Sequence, residues 1–167
     1  MNELDVGLLI LRVWLGIVML AHGVNHARSL EGTARWFGKV GFGAPTLNAW
    51  LSAAAEIAIG VALVVGLLTP IAAAGVAATM LVAFWSIHRF AGFFVFHRPD
   101  EGYEFVATLA VAALVIAVVG PGEASLDAGI GILDDYSLTF GASVYALGLL
   151  AGVGQLAVFW RKPESEE

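Results

Sequence analysis

The sequence contains no cysteine among its 167 residues. This absence excludes a disulfide framework, a thiolate metal site and dithiol redox chemistry carried by the chain itself. Any electron transfer in which the protein takes part must therefore use a bound cofactor.

Charged residues are also scarce, at 13% of the chain against 59% hydrophobic residues. In soluble domains about a quarter of the residues are charged, so a water-soluble fold cannot absorb this much apolar surface. The formal net charge of −6 argues against a nucleic-acid partner. The composition predicts an integral membrane protein that lies in a lipid bilayer.

Long apolar segments fill most of the chain, and each reaches the lower limit of about 17 residues for a membrane-spanning helix. The five segments are Val6–Val24, Leu47–Leu68, Ile71–Ile87, Tyr103–Val119 and Leu138–Trp160. Only Thr69-Pro70 separates the second from the third, which predicts a tight antiparallel hairpin. The sequence therefore predicts an all-α, polytopic membrane helical bundle.

Glycines and one proline break up the first loop. They are Gly32, Gly38, Gly41, Gly43 and Pro45.

The basic residues predict an orientation, because Lys and Arg near helix ends favour the cytoplasmic side. Of the eight, only Arg12 lies inside a predicted span, and five spans place the other seven on one face. These are Arg28, Arg35, Lys39, Arg89, Arg98, Arg161 and Lys162. The N-terminus is therefore expected outside and the C-terminus in the cytoplasm.

Two ionisable side chains, Arg12 and Glu56, lie well inside the first and second predicted spans. A charged group at this depth costs roughly 2.5–3.5 kcal/mol unless it is paired or hydrated. Their backbones differ in depth by about 8 Å, a gap that an arginine side chain largely closes. We therefore expect Arg12 and Glu56 to pair with each other, either in a functional role or only to fix helix register.

Four more polar side chains gather at the predicted cytoplasmic end: His22, His26, His88 and Glu104. His22 and His26 share a helix face, a spacing compatible with metal binding but common by accident, so no metal site is assigned. Histidine suits proton exchange near neutral pH. We interpret His22 and His88 as functional and His26 and His97 as helix-end caps, whereas Glu104 is alternatively a favourable charge at a helix N-terminus.

The chain resembles the DoxX family of small bacterial and archaeal membrane proteins over roughly residues 6–131. Short motifs in a fixed order carry this resemblance. They are Leu11-Arg12, Ala21-His22-Gly23, Glu56 through Gly60, Gly66-Leu67-Leu68-Thr69-Pro70, His88, Gly92-Phe93-Phe94, Glu104, Gly120-Pro121-Gly122 and Ser125-Leu126-Asp127.

The resemblance implies a four-helix core, so the fifth predicted span departs from the family pattern. Residues 1–131 are then a DoxX-like transmembrane domain, and residues 132–167 an additional helix with an acidic cytoplasmic tail. Gly148 and Gly152 form a small-xxx-small pair, which serves either assembly into a homo-oligomer or ordinary packing. The implied location is the plasma membrane of a bacterium or archaeon.

The family's activities are uneven, and some relatives belong to quinone-linked oxidoreductases, including thiosulfate:quinone oxidoreductase. The resemblance implies a membrane subunit of a redox system, with a quinone head group between the first four spans. His22, His88 and Glu104 are then the candidate catalytic residues. Arg12 and Glu56 are the candidate cofactor-binding residues.

Rival interpretations differ in class. One is a non-catalytic scaffold whose first loop recruits a soluble redox enzyme. Another is a small transporter or channel, although five short spans without an inverted repeat offer little apparatus for alternating access. A bis-histidine haem at His22 and His88 is a further, weaker idea. The sequence does not assign the chain as an enzyme on its own.

Overall fold

The computed structural model describes residues 1–96 and 101–163. Helices account for 77% of this part of the chain, and it contains no strand. The α-helices are α1 (Glu3–Arg28), α2 (Leu30–Lys39), α3 (Pro45–Val65), α4 (Thr69–Ser86), α5 (Glu104–Val119), α6 (Leu126–Gly129) and α7 (Leu138–Phe159), with short 3-10 helices at His88–Phe90 and Leu133–Asp135. The prediction of an all-helical membrane bundle is confirmed.

Four of these helices, α1, α3, α4 and α7, are long and apolar enough to cross a membrane. The fourth predicted span corresponds to α5, which is apolar but has only 16 residues, about 24 Å of helix. It ends at Gly120, whose φ of +94° an L side chain rarely adopts. α5 nevertheless packs along α4, in the same bundle as the longer helices.

Close contact between α1 and α3 depends on glycine. A Cβ atom added at Gly16 would lie 2.8 Å from the carbonyl oxygen of Gly60, and one at Gly23 would lie 2.8 Å from the amide nitrogen of Ile57. Small residues let helix backbones approach one another where lipid provides no hydrophobic driving force. The two helices are therefore fixed side by side.

The glycine pair on α7 packs within the chain. Gly148 lies against the backbone of Ala74 on α4, and a Cβ atom at Gly152 would lie 2.9 Å from the carbonyl oxygen of Ala78. Both glycines are buried. Of the two roles expected for this pair, packing within the chain is therefore the one that the contacts with α4 support.

The first loop contains a helix, α2, despite its glycines. Its Phe37 is buried and packs edge-on against Phe42, with ring centroids 5.0 Å apart. The end of α7 is joined to the segment that follows α2, since the indole nitrogen of Trp160 donates to the carbonyl oxygen of Val40 at 2.9 Å. Two backbone hydrogen bonds, Gly43 N to Phe159 O at 2.6 Å and Arg161 N to Gly41 O at 2.9 Å, complete this connection.

Candidate functional site

A cavity of about 500 Å³ opens at the end of the bundle where α1 and α4 finish and α3 and α5 begin. Aliphatic and aromatic side chains form most of its wall. The polar side chains in the lining are His22, His26, Ser52, Glu56, Thr79, Ser86, His88 and Glu101. A mostly apolar cavity with a few convergent polar groups is typical of small-molecule sites.

Glu56 is the buried acid of this cavity, with 4% of its surface exposed. Ser52, one turn earlier on α3, donates from its hydroxyl to Glu56 Oε1 at 2.5 Å. Glu56 Oε2 is buried and has no hydrogen-bond partner among residues 1–96 and 101–163. One carboxylate oxygen is thus held in place while the other is left for a further partner.

His26 faces Glu56 across the cavity, with its Nε2 3.7 Å from Glu56 Oε2. Its ring lies 6.4 Å from that of Trp36 on α2. The sequence predicts a helix-end cap at His26, whereas the structure places its side chain in the cavity wall. The signal that could have identified it is its position four residues after His22, at the depth where α3 begins.

The three predicted catalytic residues separate into two groups. His22 and His88 both line the cavity; His22 lies 6.1 Å from the ring of Phe105, and His88 Nδ1 lies 2.7 Å from the carbonyl oxygen of Glu101. Glu104 does not line it. Its Oε2 instead accepts a hydrogen bond from the amide of Val95 at 3.2 Å and so fixes the loop before α5.

His97 falls outside the described residues, so its predicted capping role is left as a prediction.

Arg12 does not pair with Glu56, so that expectation is wrong. Its guanidinium donates to the carbonyl oxygens of Leu63 and Val64 at 2.6 and 3.0 Å, and to that of Ala124 at 2.6 Å. The last carbonyls of a helix lack intrahelical partners and carry partial negative charge, so the end of α3 is a favourable site for a cation. Arg12 is 1% exposed and lies outside the cavity lining.

Asp127 lies near Arg12, in the polar region at the end of the bundle opposite to the cavity. Its two carboxylate oxygens accept hydrogen bonds from the amides of Leu68 and Thr69 at 2.7 and 2.9 Å, where α4 begins. Leu68 has a φ of +48°, a strained conformation for a side chain of this size. Burial of the phenol and the nearby charge of Asp127 raise the pKa of Tyr136 to about 12. The contacts of Arg12 and Asp127 thus connect the end of α3, the start of α4 and the segment around α6.

Within the described ranges, no group of three or more His, Cys, Asp or Glu residues is arranged to hold a metal ion.

Comparison with known proteins places the chain in a family. The family model described as DoxX matches residues 7–89. The chain is also 31% identical over 126 residues to the protein named "Putative oxidoreductase CatD" of Bacillus subtilis (strain 168), an alignment that covers 75% of this chain and 88% of the relative. No solved structure matches the chain. This chain is an integral membrane protein and belongs to the DoxX family.

Proposed function

We propose that the protein is the membrane subunit of a redox system and that its cavity binds a quinone head group. Two findings support a redox role: membership of the DoxX family, and the name of the relative, which describes an oxidoreductase. The mostly apolar wall suits a flat ring, and the few polar side chains suit its oxygen atoms.

The observation that carries the proposal is the buried Oε2 of Glu56, which accepts no hydrogen bond within the described part of the chain and has His26 Nε2 only at 3.7 Å. A buried acceptor without a donor costs about 1–3 kcal/mol or more, which a ligand hydroxyl would recover. A quinol hydroxyl can donate to Glu56 Oε2, and the carbonyl of the oxidised ring can accept from a histidine N–H. The residues present therefore fit this class of ligand.

A bound quinone supplies the two-electron, two-proton chemistry that the side chains of this cysteine-free chain do not. Glu56 and His26, which lie 3.7 Å apart, hold and pass a proton at the ligand oxygen. His22 and His88 contribute further titratable nitrogens to the cavity wall. Compared with the sequence-based prediction, the proposed ligand site gains His26 and loses Arg12 and Glu104.

The proposal also includes a redox partner, an orientation in the membrane and a division of the chain. A soluble redox protein supplies or removes electrons at the cavity end of the bundle. That end faces the cytoplasm and the N-terminus lies outside, in the plasma membrane of a bacterium or archaeon. Residues 1–131 form the DoxX-like transmembrane domain. Residues 132–167 contribute an additional transmembrane helix and an acidic tail.

The test is binding of a soluble short-chain benzoquinone and its quinol to the purified full-length protein, measured by calorimetry. Glu56→Gln keeps the side-chain shape but weakens the acceptor, and we expect about tenfold weaker quinol binding. Glu31→Gln is the matched control, because this exposed carboxylate on α2 lies outside the cavity.

Equal quinol affinity in wild type, Glu56→Gln and Glu31→Gln would overturn the proposal. Retained assembly with a soluble partner without quinone binding would instead favour the scaffold, and solute flux in proteoliposomes would favour the transporter.

A further inference from the structure

A cluster of aromatic and basic side chains lies at the same end of the bundle as the cavity but outside it. It combines three aromatic side chains with two basic ones, from the ends of α4 and α7. This aromatic-basic cluster consists of Trp85, Arg89, Phe90, Trp160 and Lys162. None of the five lines the cavity.

Arg89 is the centre of the cluster. Its guanidinium carbon lies 4.0 Å from the ring centroid of Trp85, 4.5 Å from that of Phe90 and 5.7 Å from that of Trp160. Lys162 Nζ lies 6.0 Å from the Phe90 centroid. Cations within about 6 Å of an aromatic ring are attracted to its face, so the two positive charges are held over a shared aromatic surface.

Hydrogen bonds to the backbone fix this arrangement in advance. Arg89 Nε donates to the carbonyl oxygen of Trp85 at 2.7 Å, and the indole of Trp160 donates to that of Val40 at 2.9 Å. Within residues 1–96 and 101–163, the terminal nitrogens of Arg89 donate no hydrogen bond and no carboxylate lies within 4.0 Å of them. A planar guanidinium with its outer N–H groups available matches the geometry of a phosphate group.

The position of the cluster indicates the source from which a phosphate group would reach it. Trp85 closes the last turn of α4 and Trp160 follows α7, so both indoles lie where spanning helices meet the lipid head groups. Trp85 and Phe90 are 42% and 55% exposed, and they continue the apolar outer surface of the bundle. Basic residues at such a boundary attract anionic lipids.

We propose that the aromatic-basic cluster binds the head group of an anionic phospholipid. The phosphate lies against Arg89 and Lys162, and the first part of the acyl chains lies along Trp85 and Phe90. This site is separate from the cavity and does not depend on quinone binding.

The test is native mass spectrometry of the full-length protein with phosphatidylglycerol and, separately, with zwitterionic phosphatidylcholine. Each basic residue near a head group contributes roughly a fivefold change in affinity, so we expect Arg89→Gln with Lys162→Gln to weaken phosphatidylglycerol binding by about 25-fold. Phosphatidylcholine binding should change little. Arg35→Gln is the matched control, because it removes one positive charge on α2, where Arg35 pairs with Glu31.

The single change Lys162→Gln keeps the test decisive if the double variant does not fold, because this exposed residue follows the last helix. It should weaken phosphatidylglycerol binding by roughly fivefold on its own. Equal affinity for the two lipids, or unchanged phosphatidylglycerol binding in Lys162→Gln, would overturn the proposal. Inorganic phosphate alone binding as tightly as the lipid would assign the site to a free anion and also contradict it.

Discussion

Arg12 lies in the half of the bundle opposite to the cavity, where it donates to three carbonyl oxygens. Arg12→Met keeps a long unbranched stem but removes every donor, so these carbonyls lose their partner and the charge of Asp127 loses its compensation. We expect the free energy of unfolding to fall by about 3 kcal/mol. Denaturant titration in detergent micelles measures it.

Arg35→Gln provides the comparison, since exposed ion pairs contribute about 0–1 kcal/mol. If Arg12→Met were as stable as Arg35→Gln, the role of Arg12 in holding the end of α3 would be wrong. Quinol binding should be similar in both variants, because neither residue lines the cavity.

The site residues illustrate what single positions in a sequence can predict. Burial of Arg12 and Glu56 follows from their location within apolar runs, and both are buried. Their partners do not follow from it. Arg12 is stabilised by backbone carbonyls at a helix end, and every helix end provides such groups whatever its sequence. His26 was missed for a related reason, since the direction of its ring depends on how α1 and α3 rotate against each other.

α7 packs on α4 through glycines that leave no room for a side chain. Gly148→Ala would place a methyl group against the backbone of Ala74, and overpacking of this kind costs about 1–3 kcal/mol. Gly154→Ala on the same helix meets no atom within 4 Å, so it should be neutral or slightly stabilising. Thermal unfolding of the two variants measures the difference, and light scattering should find the same particle mass for both.

A Gly148→Ala protein as stable as Gly154→Ala would contradict the packing of α7 on α4. A change in particle mass specific to Gly148→Ala would indicate that the glycine pair mediates contact between copies of the chain.

Element positions were predicted well where long apolar runs specify them and poorly where they do not. The boundaries of α3, α4 and α7 agree with the predicted spans to within a few residues, because Pro, Gly and polar residues end each run. α2 was predicted as a broken loop, since its Gly32 and Gly38 disfavour a helix. Burial of Phe37 against Phe42, which lies five residues further on and beyond the end of α2, outweighs that preference.

The whole molecule offers a direct test of topology, because a chain without cysteine can be labelled at one introduced thiol. If the chain crosses five times with its N-terminus outside, as proposed, a cysteine at Glu3 or Glu123 lies outside and one at Lys39 or Pro163 lies inside. We expect a membrane-impermeant maleimide to label the first two in intact cells and the last two only after permeabilisation. This experiment also tests the short helix α5: if it does not cross, Glu123→Cys is labelled only after permeabilisation.

The attachment of α7 to the segment after α2 has a consequence for chains of other lengths. Phe42 belongs to the cavity wall, and its neighbours Gly41 and Gly43 are hydrogen-bonded to residues 159–161. These residues lie far beyond the segment that the DoxX model matches. The last helix thus braces a wall to which it contributes no side chain. A relative that ends before this helix must support the equivalent wall by other means. This protein, shortened in the same way, would lose the backbone hydrogen bonds that hold Gly41 and Gly43, and its cavity wall would loosen at Phe42.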